Sequence, residues 1–288
     1  MKGEKMKIGD KVAIVCCSNG ISRTNKEQIE NLKNILNKIG LLPVSSPYLY
    51  EKDGLFSGTG KERAEALMDF YRDEEIKAIY DISGGDIANE ILPYLDFDII
   101  AKQEKMFWGY SDLTTIINAI YVRTRKKSVL YQIRNMLYSY SEIQQKNFAN
   151  TTLNNTNDLF QFSYEFIQKN QMEGIVVGGN IRCLLKLAGT PYWPDMQNKI
   201  LLLEARGGEL PQMITYLNQL KQMGTFDRIN GIILGTFTKL DEVAGEERII
   251  NLVKEYTGQE MPIIKTREIG HGMDSKAIII GERKIYKK

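Results

Sequence analysis

The sequence predicts a two-lobed α/β protein, with an amino-terminal parallel-sheet (Rossmann-like) lobe and a smaller mixed α/β carboxyl-terminal lobe. Three observations carry this expectation. Through the first half, short apolar runs alternate with amphipathic helical stretches at the pitch that parallel strands and crossover helices require. Between about residues 139 and 172 the pattern weakens, and Asn150 to Asp158 is rich in Asn and Thr, which form loops and caps. At 288 residues a single hydrophobic core begins to split, so a division at that break is the expected arrangement. Residues 1–145 are assigned to the first lobe, 146–172 to a linker and 173–288 to the second lobe.

In the first lobe, the apolar run Lys11 to Cys17 reads as a strand and Lys26 to Ile39 as an amphipathic helix, followed by a short strand at Leu41 to Ser45. Lys61 to Asp73 reads as a helix, Ala78 to Ile82 as a strand and Ile87 to Leu92 as a helix. Met106 to Tyr110 is a fourth strand, running directly into a helix at Leu113 to Thr124. Within the linker, Phe160, Phe162, Tyr164 and Phe166 alternate with polar residues, the period of a half-buried strand. The second lobe supplies strands at Gly174 to Val177, Lys199 to Leu203, Gly231 to Leu234 and Ala277 to Gly281. Its helices are Ile181 to Ala188, Leu210 to Met223 and Glu246 to Tyr256. No internal repeat or low-complexity segment is present.

Acidic and basic residues nearly balance, leaving a net charge of +2, so no global field draws the chain to nucleic acid or to an anionic membrane. The stretch Met1 to Asp10 bears lysines but is followed only by the short apolar run Val12 to Cys17, too short for a signal-peptide core or a membrane span. A cytoplasmic location is expected. Cys16 and Cys17 are adjacent in a strand and Cys183 stands alone, so neither a disulfide framework nor a zinc-ligand spacing is present. They read as buried, reduced thiols.

Four positions carry potential chemistry. His271, the only histidine, lies between Gly270 and Gly272, which relax the backbone and remove side-chain bulk around it. Imidazole is the side chain suited to accept a proton from a hydroxyl near neutral pH. Ser111 falls at the junction between an apolar strand and a helix, where it is either the helix N-cap or a nucleophile whose hydroxyl projects from the sheet edge. Ser83-Gly84-Gly85-Asp86 closes another strand, and its amides could hold an oxyanion or a phosphate. The stretch matches neither a Gly-x-Gly-x-x-Gly nor a Walker loop, which leaves nucleotide binding by those motifs unsupported. Glu204 ends the apolar run from Lys199, where a carboxylate can accept the second N–H of an imidazole or remain solvated.

Taken in order, Gly9-Asp10-Lys11-Val12-Ala13-Ile14-Val15, Gly109-Tyr110-Ser111-Asp112-Leu113-Thr114, Gly178-Gly179-Asn180 with Gly189-Thr190-Pro191-Tyr192, Leu202-Leu203-Glu204 and Gly270-His271-Gly272 resemble the LD-carboxypeptidase family, including its microcin C immunity branch. The resemblance implies a Ser–Glu–His triad of Ser111, Glu204 and His271. It also implies an oxyanion hole from the amides of Asp112 and Gly85, no metal and no cofactor, and a homodimer. Family members remove a terminal D-alanine from muropeptide tetrapeptides, and the immunity branch hydrolyses peptidyl- or aminoacyl-nucleotide conjugates. The chain departs from the family where Ser83-Gly84-Gly85-Asp86-Ile87 replaces Arg-Gly-Gly-Tyr-Gly, removing an expected substrate-side arginine, and where Glu204-Ala205-Arg206 replaces Glu-Asp. Asn89 to Asp96 looks closer to the immunity branch, whereas Gly270-His271-Gly272 and the short length look closer to the carboxypeptidases.

The expected reaction is amide hydrolysis through an acyl-enzyme, with a small peptide or peptidyl-nucleotide as substrate. Arg206, two residues past Glu204, is either a guanidinium that binds the substrate carboxylate or a solvent-facing arginine. The rival from another class is a non-catalytic protein binding a small ligand at the sheet edge.

Overall fold

The computed structural model describes residues 6–52 and 54–288; the first five residues, part of the amino-terminal stretch weighed above for targeting, lie outside the described residues. In chain order the first half holds β1 (Lys11–Val15), α1 (Lys26–Ile39), β2 (Leu42–Ser45), α2 (Gly60–Arg72), β3 (Ile76–Asp81), α3 (Phe97–Lys102), β4 (Met106–Gly109), α4 (Thr114–Thr124), β5 (Ser128–Leu130) and α5 (Ser141–Leu153). The second half holds β6 (Glu165–Gln168), β7 (Gln171–Asn180), α6 (Ile181–Leu185), β8 (Lys199–Ala205), α7 (Leu210–Gln222), β9 (Gly231–Phe237), α8 (Thr238–Ala244), α9 (Glu246–Thr257), β10 (Ile263–Lys265), β11 (Ile278–Ile280) and β12 (Arg283–Lys287).

The strands form two sheets, ordered β11-β5-β4-β3-β1-β2 and β12-β7-β8-β9-β10-β6. In the first, β1 to β5 are parallel, and in the second, β7 to β10 are parallel. Parallel strands buried on both faces explain why β1 and β8 read as nearly unbroken apolar runs. Their carboxyl ends deliver loops to one edge of each sheet, where open α/β sheets bind their ligands.

The lobes meet along α4, whose residues from Thr114 to Tyr121 are all buried. Asn118 donates to the Gly178 carbonyl at 2.9 Å and accepts from the Gly178 N–H at 2.9 Å, and the Asn180 N–H donates to Thr114 Oγ1 at 3.0 Å. The Gly178-Gly179-Asn180 motif is therefore the seam between lobes. One apolar cluster crosses it, from Leu67 and Phe107 through Ile116 to Val176 and Leu202, so the two lobes share a core.

Several sequence expectations are corrected. The strand at Ala277 to Gly281, placed in the second lobe, is β11, which pairs antiparallel with β5 and makes the first sheet mixed. The segment from Ile87 to Leu92 is a 3₁₀ helix, Ala88–Tyr94, because Pro93 lies inside it and cannot donate to an α-helical ladder. Helix α5 occupies residues partly assigned to the linker, and of the alternating aromatics only Phe166 lies in a strand. Phe162, Tyr164 and Phe166 instead stack edge-on in sequence, with Tyr286 of β12 beside the first two. Helix α6 stops at Leu185 rather than Ala188.

Candidate active site

Strand β4 ends at Gly109, and Ser111 follows with φ 54°, a left-handed backbone that a residue with a Cβ adopts only at a cost. The strain has a use. A sharp turn between a strand and a helix lifts the serine hydroxyl above the sheet edge, as a nucleophile elbow does. Ser111 is thus not the N-cap of α4, a position held by Leu113; it opens a short 3₁₀ turn, Ser111–Leu113, that follows the extended Tyr110.

Glu204 lies near the carboxyl end of β8 and is fully buried. His271 comes from the loop between β10 and β11. Its Nδ1 lies 2.7 Å from Glu204 Oε2, and its Nε2 lies 3.2 Å from Ser111 Oγ. The carboxylate accepts only, so the Nδ1 proton is the one that satisfies it, which leaves the Nε2 lone pair facing the serine hydroxyl. Oε1 of the same glutamate has no hydrogen-bond partner among the described residues. The Tyr110 ring packs against the imidazole, with centroids 4.5 Å apart. Burial first, and the Glu204 charge second, push the Tyr110 phenol well above its ordinary value.

The histidine loop is held from both lobes. Gly270 has φ 146°, and a Cβ there would meet Thr236 Oγ1 at 1.9 Å, so no larger residue fits. That same Thr236 oxygen accepts from the His271 N–H at 3.2 Å. Ser275 donates across the turn to the Gly270 and Gly272 carbonyls, at 2.6 Å in each case. From the first lobe, the buried Gln144 of α5 donates to the Met273 and Ser275 carbonyls at 3.1 and 3.0 Å, while accepting from Tyr131 at 2.8 Å.

Gly85 follows β3 with φ 128°, and a Cβ there would collide with the Asn19 side chain at 2.1 Å. The Gly85 and Asp112 N–H groups donate to no other backbone group among the described residues, so both remain available. Beneath this turn lies the fully buried Asp81. It accepts from the N–H groups of Cys17 and Ser83, each at 2.7 Å, and from the Ser83 hydroxyl at 2.5 Å. Burial nevertheless raises its carboxyl above the ordinary value, partly offset by those donors. Asp86 sits where the family pattern has tyrosine, pairing with Arg182 at the surface.

Ser111, Glu204 and His271 are therefore brought together from three separate loops and strands. Arg206 is exposed, and its positive charge acts on the Tyr110 phenol against the upward push of burial and Glu204. Sequence reasoning missed Asn19, Gln144, Lys186 and Thr236, whose only signal is a long-range polar partner. A cavity of about 620 Å³ opens elsewhere, at the amino-terminal edge of the first sheet beside Ala78, Met106 and Trp108. Ser111, Glu204 and His271 do not line it, so its volume does not locate the chemistry.

Comparison with known proteins bears on this geometry. Residues 12–131 match the model of the LD-carboxypeptidase N-terminal domain, and residues 173–284 that of the LD-carboxypeptidase C-terminal domain. The chain is 26% identical over 292 residues to the probable murein peptide carboxypeptidase of Bacillus subtilis (strain 168), covering 98% of this chain and 90% of that one. It is 24% identical over 297 residues to the microcin C7 self-immunity protein MccF of Escherichia coli, covering 92% and 86%. A solved structure of MccF in complex with glutamyl sulfamoyl guanosine shares the fold, with a TM-score of 0.88 at 22% identity over 98% of this chain and 94% of that one.

Proposed function

Since this chain belongs to the LD-carboxypeptidase family of serine peptidases, we propose that it hydrolyses the amide bond before a carboxyl-terminal D-alanine in muropeptide tetrapeptides. Ser111 is the nucleophile, His271 the general base and Glu204 the residue that orients the imidazole. The observation that carries this reading is the hydrogen-bonded line from Ser111 Oγ through His271 to Glu204, on a serine held at positive φ.

In the proposed reaction His271 Nε2 takes the Ser111 proton as Oγ attacks the scissile carbonyl. The oxyanion that forms is held by the Gly85 and Asp112 amides, which charge development makes far stronger partners than they are to a neutral carbonyl. The imidazolium, stabilised by Glu204, then protonates the departing amine, and water repeats the cycle to release the acid. Arg206 is the proposed partner of the substrate's terminal carboxylate, since a guanidinium binds a carboxylate bidentately. Three buried, unpaired thiols are compatible with action in the reducing cytoplasm, and the homodimer implied by the family resemblance is part of the same proposal.

The second reading is hydrolysis of an aminoacyl- or peptidyl-nucleotide conjugate. It is favoured by the likeness to MccF and by the absence of the arginine before Gly84-Gly85. Measuring kcat/KM on a muropeptide tetrapeptide and on an aminoacyl sulfamoyl adenosine compares transition-state binding directly. The tetrapeptide should be the better substrate, and Ser111→Ala should lose on the order of a thousandfold or more on it. A clear preference for the nucleotide conjugate would transfer the enzyme to the second reading. Near-normal turnover by Ser111→Ala would remove the serine from the mechanism.

A further inference from the structure

Immediately after α6, the second lobe sends Lys186 across the seam into the first, and its ammonium makes two close contacts. It donates to the Asp112 carboxylate at 2.5 Å and to the Asp86 main-chain carbonyl at 2.8 Å. Those partners flank the two amides assigned above to the oxyanion. Asp86 follows Gly85 directly, and Asp112 carries the second amide on its own backbone.

The Asp112 carboxylate is wholly buried. Besides the Lys186 ammonium it accepts from the Ser18 hydroxyl at 2.7 Å and from the Ala88 N–H at 2.8 Å. One carboxylate thus gathers the end of β1, the helix after Gly85 and the nucleophile turn. Lys186 is the only cation paired with it among the described residues. A buried carboxylate stripped of its counter-charge either takes up a proton or moves toward water. Movement of Asp112 displaces its own amide, and loss of the Asp86 contact frees the turn that carries Gly85. Catalytic groups tolerate little of this, because a misplacement of about 1 Å can cost a hundredfold in rate.

Resting on the nucleophile assignment above, we propose that Lys186 is a positioning residue whose ammonium sets the spacing between the Gly85 and Asp112 amides. Docking of the second lobe thereby completes the oxyanion hole of the first. The variant Lys186→Met keeps the length and apolar stem of the side chain and removes its charge, while Lys186→Arg restores a charge. The rate at which a fluorophosphonate reagent labels Ser111 is measured for each, with Ser111→Ala as the blank, beside kcat and KM on the tetrapeptide and a thermal melt.

Lys186→Met should label roughly 30- to 100-fold more slowly than wild type. Its kcat should fall by a similar factor with KM within about threefold, below the roughly hundred- to thousandfold loss expected when an oxyanion donor is removed outright, because the amides are displaced rather than deleted. Lys186→Arg should recover much of the rate. Folded Lys186→Met that labels at the wild-type rate would overturn the inference. So would a variant whose melting temperature falls while kcat per folded molecule is unchanged, or one in which KM alone rises. Wild-type protein that labels but ignores the tetrapeptide refutes only the substrate reading, because the labelling ratio still decides the role of Lys186. Wild-type protein that does not label overturns the nucleophile assignment and this inference together.

Discussion

Glu204 is buried with one carboxylate oxygen on His271 and the other without a hydrogen-bond partner among the described residues. An isosteric amide removes the buried charge and keeps the acceptor that faces His271. Glu204→Gln should therefore fold normally. Its carbonyl can still accept from His271 Nδ1, but a neutral amide does not stabilise the imidazolium that forms during reaction. A large fall in kcat is expected, but a smaller one than for Ser111→Ala, because the orienting member of such a unit costs less than the nucleophile. Unchanged kcat in Glu204→Gln would show that the carboxylate's charge plays no part. At this scale the sequence was informative where a residue of the hydrogen-bonded Ser111–His271–Glu204 line sits at a local discontinuity. Ser111 stands where a strand becomes a helix, Glu204 closes an apolar run, and His271 lies between glycines. Lys186 and Gln144 have no such marker, because each looks like an ordinary polar residue until the fold supplies its partner from about 74 or 129 residues away.

Helix α5 shows the same limit for elements. Its buried positions include Gln144, Asn147, Phe148 and Thr152, so the face it turns inward is largely polar and leaves little hydrophobic periodicity to read. Helix α1, which buries Ile29, Leu32, Ile35 and Leu36 on one face, was legible to the residue. Strand β5 is three residues long, and the outer strand β12 is Arg-Lys-Ile-Tyr-Lys, whose charges suit a sheet edge and hide its strand character. The polar face of α5 has a purpose, since Gln144 anchors the histidine loop to the first lobe. Gln144→Leu fills the same space but cannot donate, leaving the Met273 and Ser275 carbonyls and the Tyr131 hydroxyl without that partner. The variant should melt several degrees lower, reflecting about 1–3 kcal/mol for buried groups left unpaired, and limited proteolysis should cut first within residues 266–276. An unaltered melting temperature and an unaltered cleavage pattern would show that Ser275 and Thr236 hold the loop unaided.

At the scale of the whole molecule, the chain crosses between lobes three times, because β11 returns to the first sheet before β12 joins the second. A boundary drawn once, between residues 146 and 172, could not reveal this, since a three-residue apolar strand does not declare which sheet it will join. The last crossing is pinned at Gly281 and Glu282. The Gly281 N–H donates to the Val176 carbonyl at 2.8 Å, and the Val176 N–H donates to the Glu282 carbonyl at 2.9 Å. The Glu282 carboxylate lies between Lys127, just before β5 at 3.0 Å, and Lys284 of β12 at 2.6 Å, so it joins a cation from each sheet. Burial opposes its ionisation, but the hydrogen bonds and charges of the two lysines outweigh that and hold the carboxyl below its ordinary value. For an acid whose value is depressed by folding, the stabilisation is present above the unfolded value and is lost as pH falls through the folded one. Glu282→Gln should therefore be less stable than wild type near neutrality, by about 1 kcal/mol or less because the site is partly solvated, or about 2 °C in a protein of this size. The deficit should shrink as the pH is lowered below the ordinary carboxylate range, where wild-type Glu282 is protonated too. Paired thermal melts of the two proteins from neutral pH downward measure it, and a difference that is absent at neutrality, or that persists undiminished in acid, would show that this inter-lobe ion pair does not contribute to stability.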